Sequence, residues 1–167
     1  MYFIVGTAIV RNTLHTTIAV FPKEWSVSFE IKPTGTATGW ANVLHVGLGG
    51  DNSVYGDRIP GIWMYGTSTA MHIGSAISGN QNAVTTTNDI PQNVWTKVVI
   101  RQARQADGSY KFLIAVDDDL IKEVTNTDPR EFTNVKVSQN WPNFCQNSRA
   151  SFFVFCFFWF NISSKNN

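Results

Sequence analysis

Apolar and polar residues alternate most clearly in "WSVSFEIK", where Trp25, Val27, Phe29 and Ile31 are interleaved with Ser26, Ser28, Glu30 and Lys32. A period of two predicts a strand with one buried face. A turn-rich link, "PTGTATG", leads to a second strand in "WANVLHVGLGG", and the polar loop "DNSVYGDRIPG" follows. Two short strands are expected next, "IWMYG" and "AMHIG", joined through Gly66 to Thr69. The Asn-, Thr- and Gln-rich segment from Ser78 to Asn93 reads as a long polar connection to the strand "VWTKVVIRQ". "YKFLIAV" and "LIKEV" form a hairpin around Asp117, Asp118 and Asp119, and "NVKVS" follows. The opening "MYFIVGTAIV" leads into a first strand. The alternative, the remnant of a signal peptide, lacks a basic residue before the apolar run and a clear cleavage site.

No window has a helical period, and turn signals recur along the chain. The pattern therefore predicts an all-β fold, an antiparallel sandwich or barrel. No apolar run reaches the ~18 residues of a membrane-spanning helix. At 167 residues there is room for one domain with a sizeable core. The formal net charge is +1, with the charges dispersed, which removes the electrostatic case for nucleic acid or an anionic membrane surface. A charged fraction of 15% with abundant Thr, Asn and Gly suits extracellular β-proteins. Both cysteines, Cys145 and Cys156, lie near the C-terminus, so the core cannot depend on a disulfide.

The order of these pieces carries a resemblance. "WSVSFEIKPTG", "WANVLHVG", "GIWMYG" with "AMHIG", "IPQNVWTKVVIRQ" with Trp95, "YKFLIAVDDDLIKEV" and "PREFTNVKVS" succeed one another as in the concanavalin A-like lectin and glucanase superfamily. Within it the chain looks most like laminin-G-like extracellular modules. The resemblance implies a jelly-roll sandwich of two antiparallel sheets over residues 6–141, with ligands on rim loops or on the concave face. Val116-Asp117 matches half of the usual hairpin, but Asp118 and Asp119 stand where Gly is customary. Past Trp141 the resemblance stops, leaving a divergent tail over 142–167. Its run "SFFVFCFFWF" is apolar on both faces, is too short to span a membrane as a helix, and is long enough as a strand to replace the family's closing strand.

Chemistry is sparse. Glycoside hydrolysis requires two carboxyl groups about 5–9.5 Å apart, and Glu24, Glu30, Glu123 and Glu131 do not fall in the E-x-D-x-x-E pattern of the superfamily's glucanases. No nucleophile elbow occurs near His15, His45 or His72, and the latter two read as plain strand histidines. Calcium, which lectin and laminin-G sandwiches often hold, would draw on Asp51 and Asp57 in one loop and on Asp117, Asp118 and Asp119 in another. The plainer reading is two solvated turns. Glycan binding needs an aromatic face beside amides and charged groups. Tyr55, Trp63 and Tyr65 with Asp51, Asn52, Asp57 and Arg58 could supply it, whereas Trp25 and Trp95 read as core. Asn161 heads an N-I-S glycosylation triplet. The expectation is a secreted, non-enzymatic module that recognises glycan or a matrix protein. The alternatives are an adhesive matrix component without a dedicated ligand, and a glycosidase relative without the paired carboxylates.

Overall fold

A computed structural model describes residues 13–36 and 39–139, together with the backbone of a strand over 154–162. The described residues form eleven strands: β1 (Thr13–Phe21), β2 (Trp25–Pro33), β3 (Ala41–Gly47), β4 (Gly61–Met64), β5 (Ala70–Ile77), β6 (Asn80–Asp89), β7 (Thr96–Arg104), β8 (Tyr110–Val116), β9 (Asp119–Asn126), β10 (Phe132–Gln139) and β11 (Val154–Ile162). They make a six-stranded sheet in the order β1-β10-β3-β4-β5-β6 and a five-stranded sheet in the order β11-β2-β7-β8-β9. Every pairing is antiparallel. Among the described residues there is no helix.

The core follows from the period of two. Val27, Phe29 and Ile31 of β2, with Ile100 of β7 and Ile114 of β8, meet Val46 of β3, Ile62 of β4 and Ile73 of β5 in one buried apolar cluster. Trp25 belongs to it, its ring 5.5 Å from Phe21 and 6.1 Å from Phe112. One break in the period matters for the site. Between Asn42 and Leu44 the register of β3 against β4 shifts by one residue. At such a bulge the extra residue is accommodated by one strand alone. Val43 and Leu44 are consequently both buried, and Asn42 and His45, three residues apart, both line the sheet's outer face.

Two expectations need correction. The segment from Ser78 to Asn93 is not merely a connection, because it contains β6, which pairs with β5 from Asn80 to Asp89. Its polarity hides it: β6 is an edge strand, largely solvated, and its threonines are β-branched residues suited to a pleated surface. Trp95 is not core. It precedes β7 and is 42% exposed, whereas Thr96 begins the buried alternation.

The backbone of β11 pairs with β2 along its whole length, from Val154 opposite Pro33 to Ile162 opposite Trp25. Asn161 of the N-I-S triplet stands opposite Ser26. The opening "MYFIVGTAIV", the boundary near Trp141 and Cys145 lie outside the described residues.

Candidate functional site: an aromatic cleft on the six-stranded sheet

On β3, β4 and β5 the residues that alternate with core positions face away from the other sheet. There they line a cleft of about 640 Å³, formed by Trp40, Asn42, His45, Trp63, His72 and Asn82 with the 49–52 loop and Arg58. This volume lies within the ~300–1,000 Å³ of small-molecule sites.

A row of aromatic rings crosses the strands. His45 of β3 lies 5.7 Å from Trp63 of β4, which lies 6.1 Å from His72 of β5. Trp40 packs edge-on to His72 at 5.0 Å and against Tyr65 at 4.5 Å. Spacings of this size are those of favourable edge-to-face and tilted ring pairs. The Tyr65 hydroxyl lies 3.0 Å from Thr86 Oγ1 and 3.4 Å from His72 Nδ1. Trp63 is 8% exposed and Trp40 is 46% exposed, so Trp63 forms the floor and Trp40 a wall.

Arg58 organises the floor. Its guanidinium donates from Nε to the Asp51 carbonyl (2.8 Å), from Nη2 to Asp51 Oδ1 (2.6 Å) and from Nη1 to Asn82 Oδ1 (2.8 Å). It also lies over the Trp63 ring, 4.1 Å from the centroid. Glycine makes this possible. Gly61 and Gly74 are cross-strand partners. A Cβ at Gly61 would meet the Trp63 ring at 2.4 Å, and one at Gly74 would meet Asn82 Oδ1 at 2.6 Å and Arg58 Cδ at 3.2 Å.

The 48–57 loop is closed by Asp57, whose Oδ2 accepts from the backbone N–H groups of Ser53 (2.9 Å) and Val54 (2.8 Å). His45 Nε2 lies 2.6 Å from the Asp57 carbonyl. A carbonyl can only accept, so Nε2 carries the proton and neutral His45 presents Nδ1 as an acceptor. Burial lowers the pKa of His45; the Asp57 bond opposes this and nearby Arg58 adds to it. Burial, then Arg58, lowers His72 as well. Both imidazoles are therefore neutral at pH 7.

Of the residues singled out in the sequence, Asp51, Asn52, Arg58 and Trp63 line the cleft. Asp57 lies beneath it and Tyr65 beside it. Tyr55 is elsewhere: its hydroxyl donates to the Asp128 carbonyl at 2.8 Å and its ring packs against Phe132 and Arg130. The acidic loops do not come together. Asp51 and Asp57 belong to the six-stranded sheet, and Asp117 to Asp119 to the β8–β9 turn of the other. Asp117 accepts from the backbone N–H of Lys97, and Asp118 pairs with the Lys97 ammonium. Among the described residues no group of three or more His, Cys, Asp or Glu is placed to hold a metal ion. Trp40, Asn42, His45, His72 and Asn82 carry no motif that marks them as neighbours. Only the alternation of β3 and β5 could have put the histidines on a common face.

No family model and no curated protein matches the chain. Solved structures do. A native heptameric SAP-like pentraxin from Limulus polyphemus is 11% identical, covering 87% of this chain and 65% of its own, with a TM-score of 0.51. The endo-β-1,4-glucuronan lyase of the fungus Trichoderma reesei is 10% identical over 95% of this chain and 71% of its own, with a TM-score of 0.52. The fold is a jelly-roll sandwich of two antiparallel sheets. Botulinum neurotoxin type C, whose cell entry depends on two ganglioside molecules, is similar at 11% identity over 86% of this chain, with a TM-score of 0.53. This jelly roll spans about a third of that neurotoxin chain, 33% of it, and just under two thirds of the pentraxin. Likeness at this level of identity concerns the fold alone.

Proposed function

We propose that the chain is an extracellular, non-enzymatic recognition module that binds glycan in the cleft of its six-stranded sheet. The observation that carries the reading is the row from His45 through Trp63 and His72 to Trp40. Aromatic faces of this kind stack on the C–H faces of sugar rings, while Asn82 and the 49–52 loop edge the same hollow with amide and backbone groups that bond hydroxyls. The floor is fixed in advance by Arg58, so little ordering is left for the moment of binding. The carboxylates are already engaged, Asp51 with Arg58 and Asp57 with two backbone N–H groups, which favours binding over hydrolysis.

The structural neighbours support a sugar-binding use of the fold, since they include a ganglioside-dependent neurotoxin and a glucuronan lyase. A glycan array probed with the whole chain, with and without a calcium chelator, tests the proposal. Selective glycan binding that Trp40→Ala weakens is the expected result, and loss of signal on chelation would add calcium to the site. A blank array together with retained binding to matrix proteins would overturn it in favour of an adhesive component.

A further inference from the structure

A second hollow, of about 250 Å³, adjoins the aromatic cleft and is lined by Leu14, His45, Gly47, Gly49, Lys136 and Ser138. The two share His45 and Gly49, so they lie side by side across β10, β3, β4 and β5. From β10 to β5 is three strand spacings, ~14 Å, longer than a single pyranose ring. One end is aromatic. The other contains an ammonium group.

Glycine shapes this end too. Lys136 pairs across the sheet with Gly47, which leaves the outer face there without a side chain. Lys136 Nζ lies 3.0 Å from the place a Cβ at Gly49 would occupy, so the ammonium rests over the residue that joins the hollows. Among the described residues Lys136 makes no ion pair. The groove's other charges are committed: Arg58 and Asp51 to each other, and Asp57 to the backbone of its own loop. Leu14 supplies an exposed apolar edge beside the lysine.

Resting on the reading of the cleft as a glycan site, we propose that the ligand is an acidic oligosaccharide. One sugar unit lies against Trp63 and Trp40, and an anionic group of a neighbouring unit, carboxylate or sulfate, pairs with Lys136. An uncompensated ammonium at the end of a neutral aromatic groove selects for such a charge, and its attraction is screened by salt.

Calorimetry with three probes tests this on the whole chain: a neutral β-1,4-glucan tetramer, the β-1,4-glucuronate tetramer and a sulfated glucan tetramer. At least one acidic probe is expected to bind about tenfold tighter than the neutral one, equivalent to a single well-placed charge contact, with the advantage shrinking in high salt. Lys136→Gln, at an exposed position, should leave the melting temperature unchanged and reduce the preference to within about twofold. Whichever acidic probe is favoured identifies the anion. A preference that survives Lys136→Gln, or a wild-type chain that binds the neutral probe as well as both acidic ones, overturns the acidic ligand and leaves the glycan site standing. Failure of all three probes to bind overturns the acidic ligand as well, and the glycan array then decides separately whether the cleft binds other sugars.

Discussion

Arg58 and Trp63 form a single unit: the guanidinium lies 4.1 Å from the centroid of the indole, with Asp51 and Asn82 fixing its plane. The Arg58 side chain is 9% exposed and that of Asp51 is 73% exposed, so the pair is anchored from the protein side and open at its carboxylate. A flat, multiply bonded guanidinium is what this position requires, and an ammonium cannot replace it. Arg58→Lys is therefore expected to lower stability by about 1–3 kcal/mol, the scale of lost charge-assisted hydrogen bonds. It should also weaken glycan binding. Urea denaturation and calorimetry would check the two effects, and an unchanged midpoint would contradict the anchoring role.

Trp40 is an exposed wall, so its removal should be felt in binding before stability. Trp40→Ala is expected to weaken glycan affinity about tenfold, the scale of losing one aromatic contact at a binding surface. Stability should change by no more than about 1 kcal/mol. Binding and thermal melts measured on one preparation separate the effects.

Gly47 permits the closest approach in the loop. A Cβ there would lie 1.8 Å from the Asp57 carbonyl oxygen, the same oxygen that accepts from His45 Nε2. Because the obstacle is backbone, it cannot rotate aside. Gly47→Ala should cost more than about 3 kcal/mol. Gly35→Ala, where nothing lies within 4 Å, should cost less than about 0.5 kcal/mol. Equal effects in chemical denaturation would dispose of the close-approach argument.

Burial lowers the pKa values of His15, His45 and His72 below the ordinary 6.5. Above 6.5 the folded and unfolded chains both hold neutral imidazoles, and the full stability is present. As pH falls below 6.5 the unfolded chain binds protons first, so stability is lost down to the lower folded values. The melting temperature should be level above pH 7 and fall as the pH drops below 6.5. His45→Gln, which keeps a donor for the Asp57 carbonyl, should reduce the slope. A slope unaltered by that substitution would assign the effect to other groups.

The β8–β9 turn has Asp117 at φ 48° and Asp118 at φ 69°, both in the left-handed region. Val116 and Asp119 pair across it, so the hairpin closes on two residues of positive φ, where Gly is preferred. Asp117 also accepts a bond from Lys97 N–H, which a glycine there would lose. Asp118 has only an exposed pair with Lys97, of little value. Asp118→Gly should raise stability by about 0.5–1 kcal/mol, and a fall in the denaturation midpoint would contradict it.

Much of the fold is legible from alternation alone. β2, β3, β8 and β10 lie where "WSVSFEIK", "WANVLHVG", "YKFLIAV" and "NVKVS" predict strands, because a half-buried strand must alternate to satisfy both its faces. β6 is hidden because an edge strand needs few apolar residues. Trp95 misleads because composition does not show that the strand begins one residue later. Part of the cleft was legible too, since Asp51, Asn52, Arg58 and Trp63 cluster in sequence around one loop.

The sequence by itself determined the class of fold, an antiparallel all-β sandwich or barrel, and the faces of its most regular strands, because a period of two calls for strands with one buried face. Tertiary structure alone decided the site. In a regular strand Asn42 and His45 would face opposite ways, and the bulge before Leu44 brings them to the same side. His72, Asn82 and Lys136 reach that face from β5, β6 and β10 through pairings between residues far apart in the chain. A one-residue shift in register reverses which face a side chain occupies, and no local pattern records it.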